Sequence, residues 1–114
     1  MTKKAADTEA SDRRRERNRQ AQEELDLVLA ALAHPTRRQI LMNLKIRGES
    51  MSSGDIAARY ACSWPTVTRH LGVLRSAGLI VVRRQGKSLH YELNTSALKR
   101  VWANWFSYFD VGGG

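Results

Sequence analysis

Residues 63–78 constrain this chain more than any other stretch: Ser63-Trp64-Pro65-Thr66-Val67-Thr68-Arg69-His70-Leu71-Gly72-Val73-Leu74-Arg75-Ser76-Ala77-Gly78. Val67, Leu71 and Leu74 recur at i, i+4 and i+7, which predicts a helix with a single apolar stripe. Thr66, Thr68, Arg69, Gly72 and Arg75 fall largely off that stripe. Ser63 stands where an N-cap belongs, and Gly78 where a helix stops. A helix that packs on one side and is small, polar and cationic on the other suits insertion into a DNA major groove. Base edges there offer hydrogen-bond acceptors beside a dense line of phosphates.

At 114 residues the chain has room for one domain. So small a domain buries a modest share of its surface, and a partner subunit adds stability. Lys and Arg total 19 against 11 Asp and Glu, a net charge of +8. Residues 35–100 hold 12 Lys and Arg against Glu49, Asp55 and Glu92, so the excess lies in the folded part. A basic domain attracts polyanions, nucleic acid above all, although such charge also serves plain solubility. Cys62 is the sole cysteine, which excludes an internal disulfide and fits a reducing compartment. Apolar runs fall short of a membrane span, and no apolar core follows the charged N-terminus as in a secretory signal. The expected location is the cytoplasm.

Residues 1–19 are polar, with a cluster at Arg13, Arg14, Arg15, Glu16, Arg17 and Arg19. They read as a flexible charged tail that adds turns to the next helix, or as an arm reaching DNA phosphate. Over residues 20–33, Leu25, Val28, Leu29 and Leu32 mark one helical face. His34-Pro35 ends that helix, and Pro35 suits the first turn of the next, to about residue 47, with Ile40, Leu41, Leu44 and Met42 as core candidates. Residues 49–53 read as a connection, with Ser52 or Ser53 as a cap. A third helix covers about 54–60, with Ile56, Ala57 and Tyr60 inward.

Past Gly78 the period changes. Residues 79–84 are extended and β-branched, 85–88 form a turn, and 89–93 alternate apolar and polar. A last helix follows from Asn94 or Thr95 to about Phe109, and residues 111–114 read as a flexible end. The fold class is mainly α with a small β-hairpin, in the order α-α-α-α-β-β-α. This is the winged helix-turn-helix plan, in which residues 20–110 form the DNA-binding and dimerisation domain.

Three separated motifs resemble the ArsR/SmtB-type repressors in the same order. They are Ala31-Leu32-Ala33-His34-Pro35-Thr36-Arg37-Arg38-Gln39-Ile40-Leu41, residues 65–80, and the strand pair at 83–94. His34 departs from the family's Asp, which weakens the expected helix cap. The resemblance implies a homodimeric repressor on an inverted-repeat operator of double-stranded DNA. Carried over by position, Ser63, Trp64, Thr66, Thr68 and Arg69 face DNA, and Arg83, Arg84 and Lys87 serve the wing. Arg69 can read guanine or hold phosphate, and Trp64 can wedge against the backbone or cover the helix end. His70 lies beside the apolar stripe and reads as a packed, hydrogen-bonded histidine. The family's metal sites need paired cysteines near the third helix, or Asp and His on the last one. Neither set is present, so no metal or cofactor is expected, and the chain is most similar to the metal-free, SdpR-like branch.

Trp102, Trp105, Phe106, Tyr108 and Phe109 supply five of the eight aromatics. Leu25, Val28, Leu29 and Leu32 with Trp102, Trp105, Phe106 and Phe109 are the expected dimer interface. Two alternatives use the same residues differently: a hydrophobic effector pocket near the last helix, or a winged helix serving as a protein-interaction module. Scattered acids and the lack of a nucleophile beside a histidine or of a Gly-rich phosphate loop argue against an enzyme.

Overall fold

Caps and turn residues divide the chain into its elements. The computed structural model describes residues 3–60 and 62–110. The segment 111–114, read as a flexible end, lies outside them, as do Met1, Thr2 and Ala61. The order is α1 (Lys3–Leu32), α2 (Pro35–Arg47), β1 (Met51–Ser52), α3 (Ser53–Tyr60), α4 (Trp64–Ser76), β2 (Ile80–Gln85), β3 (Ser88–Leu93), α5 (Ser96–Asn104) and a 3-10 turn (Phe106–Phe109). The winged helix-turn-helix plan is therefore present, with one strand more than expected.

Helix α1 begins at Lys3 and takes in most of the segment read as a tail. Residues 3–19 contain neither Gly nor Pro and are rich in Ala, Arg and Glu, all good helix formers. Exposed pairs one turn apart, Arg19–Glu16 at 2.7 Å and Arg15–Asp12 at 3.7 Å, add modest support on the helix surface.

At the start of α2 His34 does cap the helix: its Nδ1 accepts from the Thr36 N–H at 3.1 Å. The cap is therefore present, although an imidazole lacks the negative charge that a carboxylate brings to a helix N-terminus. Gly48, at φ 69°, closes α2 with its N–H on the Leu44 carbonyl. Ser52 and Asp55 exchange bonds around the first turn of α3. Asp55 N–H donates to Ser52 Oγ at 3.1 Å, and Ser52 N–H to Asp55 Oδ2 at 3.4 Å.

The sheet has the order β1-β3-β2, antiparallel throughout, with Met51 opposite Tyr91 and Ile80 opposite Leu93. Residues 86 and 87 turn the hairpin, and Gly86 takes φ 61°. The core joins Val28 and Ala31 of α1, Ile40, Leu41 and Leu44 of α2, Met51 of β1, Ile56 of α3, Val67, Leu71 and Leu74 of α4, with Ala77, Leu79, Ile80, Ala97 and Val101. Met42 is exposed instead.

The last helix is shorter than expected. It ends at Asn104, Trp105 leaves helical geometry at φ −139° and ψ −61°, and the chain continues as the 3-10 turn. Ser107 Oγ bonds the Ala103 carbonyl at 2.9 Å, and the aromatic rings pack on one another: Trp105 meets Phe106 edge-on at 5.1 Å and Phe109 at 4.9 Å. A hydroxyl bonding back four residues and a ring cluster compete with the regular ladder.

Candidate nucleic-acid interface

Helix α4 is held at both ends by its own sequence. Ser63, at ψ 153°, accepts the Thr66 N–H at 3.3 Å, and its hydroxyl donates to Thr66 Oγ1 at 2.9 Å. Ser63 and Thr66, both expected to face DNA, thus lie together at the helix N-terminus, where exposed N–H groups favour an anion such as phosphate. Trp64 stands exposed just inside that end, and the capping itself is done by Ser63. At the other end the Gly78 N–H reaches the Arg75 carbonyl and the Leu79 N–H the Leu74 carbonyl, both at 3.0 Å. That pair of bonds requires the left-handed φ of 75° at Gly78.

Between the caps the helix has two unlike sides. Val67, His70, Leu71 and Leu74 are buried. Thr68, Arg69, Gly72 and Arg75 are exposed, and neither Arg69 nor Arg75 makes a side-chain hydrogen bond or ion pair among the described residues. Packing therefore fixes the helix while leaving guanidinium groups free on its outer side.

Along the wing, burial falls from base to tip: Ile80 is buried, and Arg84, Gln85, Gly86, Lys87 and Ser88 are exposed. Arg83, expected to serve the wing, is exposed and carries an ion pair. Its Nε donates to Glu92 Oε2 of β3 at 3.1 Å, so this cation is already paired. Arg84 and Lys87 have no such partner among the described residues.

His70 is 6% exposed and packed, as its position predicts. Its Nδ1 lies 3.3 Å from Arg37 Nη1, and its ring centroid 4.4 Å from that of His34. Burial first, and then the charges of His34, Arg37 and Arg69, hold its imidazole below the usual range. The unfolded chain takes up that proton at higher pH than the folded one does. This group's share of stability is thus present above the ordinary imidazole range, near pH 6.5, and is lost as pH falls from there.

Arg37 and Arg38 escaped the sequence reading. Arg37 donates to the Ala31 and Ala30 carbonyls, and Arg38 to that of Leu32 at 2.6 Å, so the two satisfy the C-terminal end of α1. The available signal was a helix end without glycine, followed within a turn by two arginines.

The expected interface residues divide. Leu29, Trp102, Trp105 and Phe109 are exposed, the last three at 54, 45 and 64%, and Tyr108 joins them at 80%. Leu25, Leu32 and Phe106 are half-buried against the core. Val28 is fully enclosed by the protomer's own core and presents no surface to a partner. Glu24 and Arg100 join α1 to α5 through bonds of 2.9 to 3.1 Å. Among the described residues no group of three or more His, Cys, Asp or Glu is placed to hold a metal, and no helix is long and apolar enough to cross a membrane.

A capped helix with one free cationic side, a helix packed before it and a basic hairpin after it define a winged helix-turn-helix transcriptional regulator. A profile for a helix-turn-helix domain matches residues 32–83. The chain is 40% identical over 82 residues to the transcriptional repressor SdpR of Bacillus subtilis, spanning 72% of this chain and 88% of that protein. It is 36% identical over 78 residues to the biofilm growth-associated repressor of Agrobacterium fabrum, spanning 68% and 65%. A crystal structure of an ArsR family transcriptional regulator superposes with a TM-score of 0.68 at 26% identity, covering 79% of this chain and 91% of that one. The chain belongs to the ArsR/SmtB family of winged helix-turn-helix repressors. It is a DNA-binding regulator of transcription and not an enzyme.

Proposed function

We propose that this repressor acts in the cytoplasm as a homodimer, placing α4 in the major groove of an inverted-repeat operator and its wing on the flanking backbone. The observation that carries the reading is the free outer side of α4, where Thr68, Arg69 and Arg75 stand exposed over a buried Val67, His70, Leu71 and Leu74. Arg69 offers two donors to guanine O6 and N7, or grips phosphate, and Thr68 suits a thymine methyl. Ser63, Thr66 and Trp64 meet the backbone at the helix N-terminus, and Arg84 and Lys87 do so at the wing. Residues 20–110 make up the working unit, and neither metal nor cofactor enters it.

Dimerisation is supported by the exposed aromatic end. Trp102, Trp105, Tyr108 and Phe109 form an apolar surface of a kind that monomers rarely leave in water. Two-fold pairing there sets two α4 helices about one helical turn, ~34 Å, apart. A gel-shift titration with promoter fragments across salt concentrations tests the reading. Some fragments are expected to bind far more tightly than others, with affinity falling steeply as salt rises. Equal affinity for every duplex refutes sequence-specific repression.

One observation favours a second reading. A groove of about 590 Å³ lies between α1 and α5, lined by Leu32, Leu98, Trp102 and Phe106 among others. A hydrophobic effector seated there displaces the DNA-bound form. Tryptophan fluorescence titrated with metabolite pools reads it; no quenching and no DNA release count against it.

A further inference from the structure

The outer side of α4 can read DNA only if the helix is held at one angle to the rest of the domain, and a single guanidinium supplies a direct polar tie. Arg37 Nε donates to the Ala31 carbonyl at 2.7 Å and Nη2 to the Ala30 carbonyl at 3.0 Å, gripping the end of α1. Its Nη1 donates to His70 Nδ1 at 3.3 Å, on the buried side of α4 and next in sequence to Arg69. Guanidinium has no acceptor, so Nδ1 carries no proton and His70 is the neutral, Nε2-protonated form. The planar fork reaches two elements at once, which an ammonium cannot do with the same geometry.

We propose that Arg37 is a positioning residue for DNA recognition: it fastens α4, through His70, to the end of α1, and this clasp sets the angle of Arg69 and opens when His70 is protonated. The proposal rests on α4 being the DNA-reading helix. The charged groups acting on His70 are His34 from the turn before α2, Arg37 from α2 and Arg69 from α4, and all are basic. A proton on His70 therefore removes the acceptor and adds a like charge among them. Acid raises the protein's charge and strengthens non-specific DNA binding, so an open clasp shows as lost discrimination and not as lost affinity.

The test compares wild type with His70→Gln, whose amide oxygen accepts from Arg37 and takes no proton, and His70→Leu, which fills the site and accepts nothing. The probes are a duplex that wild type selects from a random-sequence pool at about pH 7.5 and an unrelated duplex of equal length, titrated over roughly pH 5.5–8. For wild type the affinity ratio between the two duplexes is expected to fall about tenfold towards acid. His70→Gln holds its ratio across the range, and His70→Leu shows the lowered ratio already at neutral pH. Arg37→Met, lacking every donor, matches His70→Leu; where it fails to fold, the two His70 variants decide. His34 and His90 are common to all, and because His34 lies against His70 at 4.4 Å the comparison is repeated in a His34→Gln background, where a difference that persists belongs to His70. A wild-type ratio that ignores pH, or a His70→Leu ratio equal to wild type, overturns the clasp while the DNA-reading role of α4 stands. A pool from which wild type selects nothing overturns both.

Discussion

The recognition end of the molecule and the aromatic end are both exposed, but their exposed atoms differ in kind. On α4 and the wing they belong to Thr68, Arg69, Arg75, Arg84 and Lys87, which water solvates well. At the other end they belong to Leu29, Trp102, Trp105, Tyr108 and Phe109, which water solvates poorly. The first surface is stable alone and gains from a polyanion by releasing counterions. The second loses free energy as long as it stays wet, at about 25 cal/mol for each Å² of apolar area. On the proposed function, one end sets which duplex is chosen, and the other whether two copies choose it together. Substitutions at the two ends should fail in different assays.

The largest effect is expected at the aromatic end. Trp102→Ala combined with Trp105→Ala should weaken subunit association by at least about 2–4 kcal/mol, the usual loss for truncating aromatic anchors at an interface. Sedimentation equilibrium should then show a single subunit at micromolar concentration. Weak, sequence-independent DNA binding should survive, because α4 is untouched. A double variant that remains a dimer breaks the comparison at once. Arg69→Ala comes next. It should leave association unchanged and lower the preference for one or two base positions by about 1–3 kcal/mol if the guanidinium reads a base. A uniform loss over all duplexes assigns Arg69 to phosphate instead.

How far the sequence foretold these two ends depends on the range of the forces involved. The stripe of Val67, Leu71 and Leu74 follows from helical periodicity, and the Ser63 cap and Gly78 stop are local, so α4 was legible with its correct buried side. Both wing strands were legible from local pattern too, β2 from its β-branched residues and β3 from apolar–polar alternation after a Gly turn. Strand β1 was not, because two residues cannot display alternation and it exists only through pairing with β3. The break at Trp105 depends on rings folding against one another, which spacing alone does not encode. Val28 shares its helix face with Leu25 and Leu32, yet its position over the core buries it completely. In the sequence Arg83 reads only as a wing cation, and Arg37 and Arg38 have no assigned role. Contacts with Glu92 and with the end of α1 separate them from Arg69 and Arg84.

A smaller effect tests the N-terminus of α4, where stability and binding meet in one hydroxyl. Ser63→Ala removes the acceptor for the Thr66 N–H and should lower stability by about 1 kcal/mol in chemical denaturation. Ser63→Asp keeps a good cap and should hold that stability, but it sets a carboxylate where phosphate is expected. If this end meets the DNA backbone, Ser63→Asp should bind more weakly than Ser63→Ala although it is the more stable protein. The opposite order removes Ser63 from the DNA-facing set.

The smallest expected effect separates the cations of the wing. Lys87, exposed beside Gly86 at the tip, should act on phosphate alone. Lys87→Ala is then expected to weaken all duplexes alike by about 1 kcal/mol or less, and to reduce the slope of log affinity against log salt by about 1. Arg83 starts from a different state, because Glu92 already neutralises it at 3.1 Å across the hairpin. Losing Arg83 to Ala also releases Glu92, so its net effect on binding mixes a missing cation with an uncovered anion. Glu92→Gln resolves the mixture: it removes the anion, keeps Arg83, and should steepen the salt slope if the wing lies on the backbone. If neither Lys87→Ala nor Glu92→Gln changes the slope, the hairpin stands clear of the duplex and α4 carries the recognition end alone.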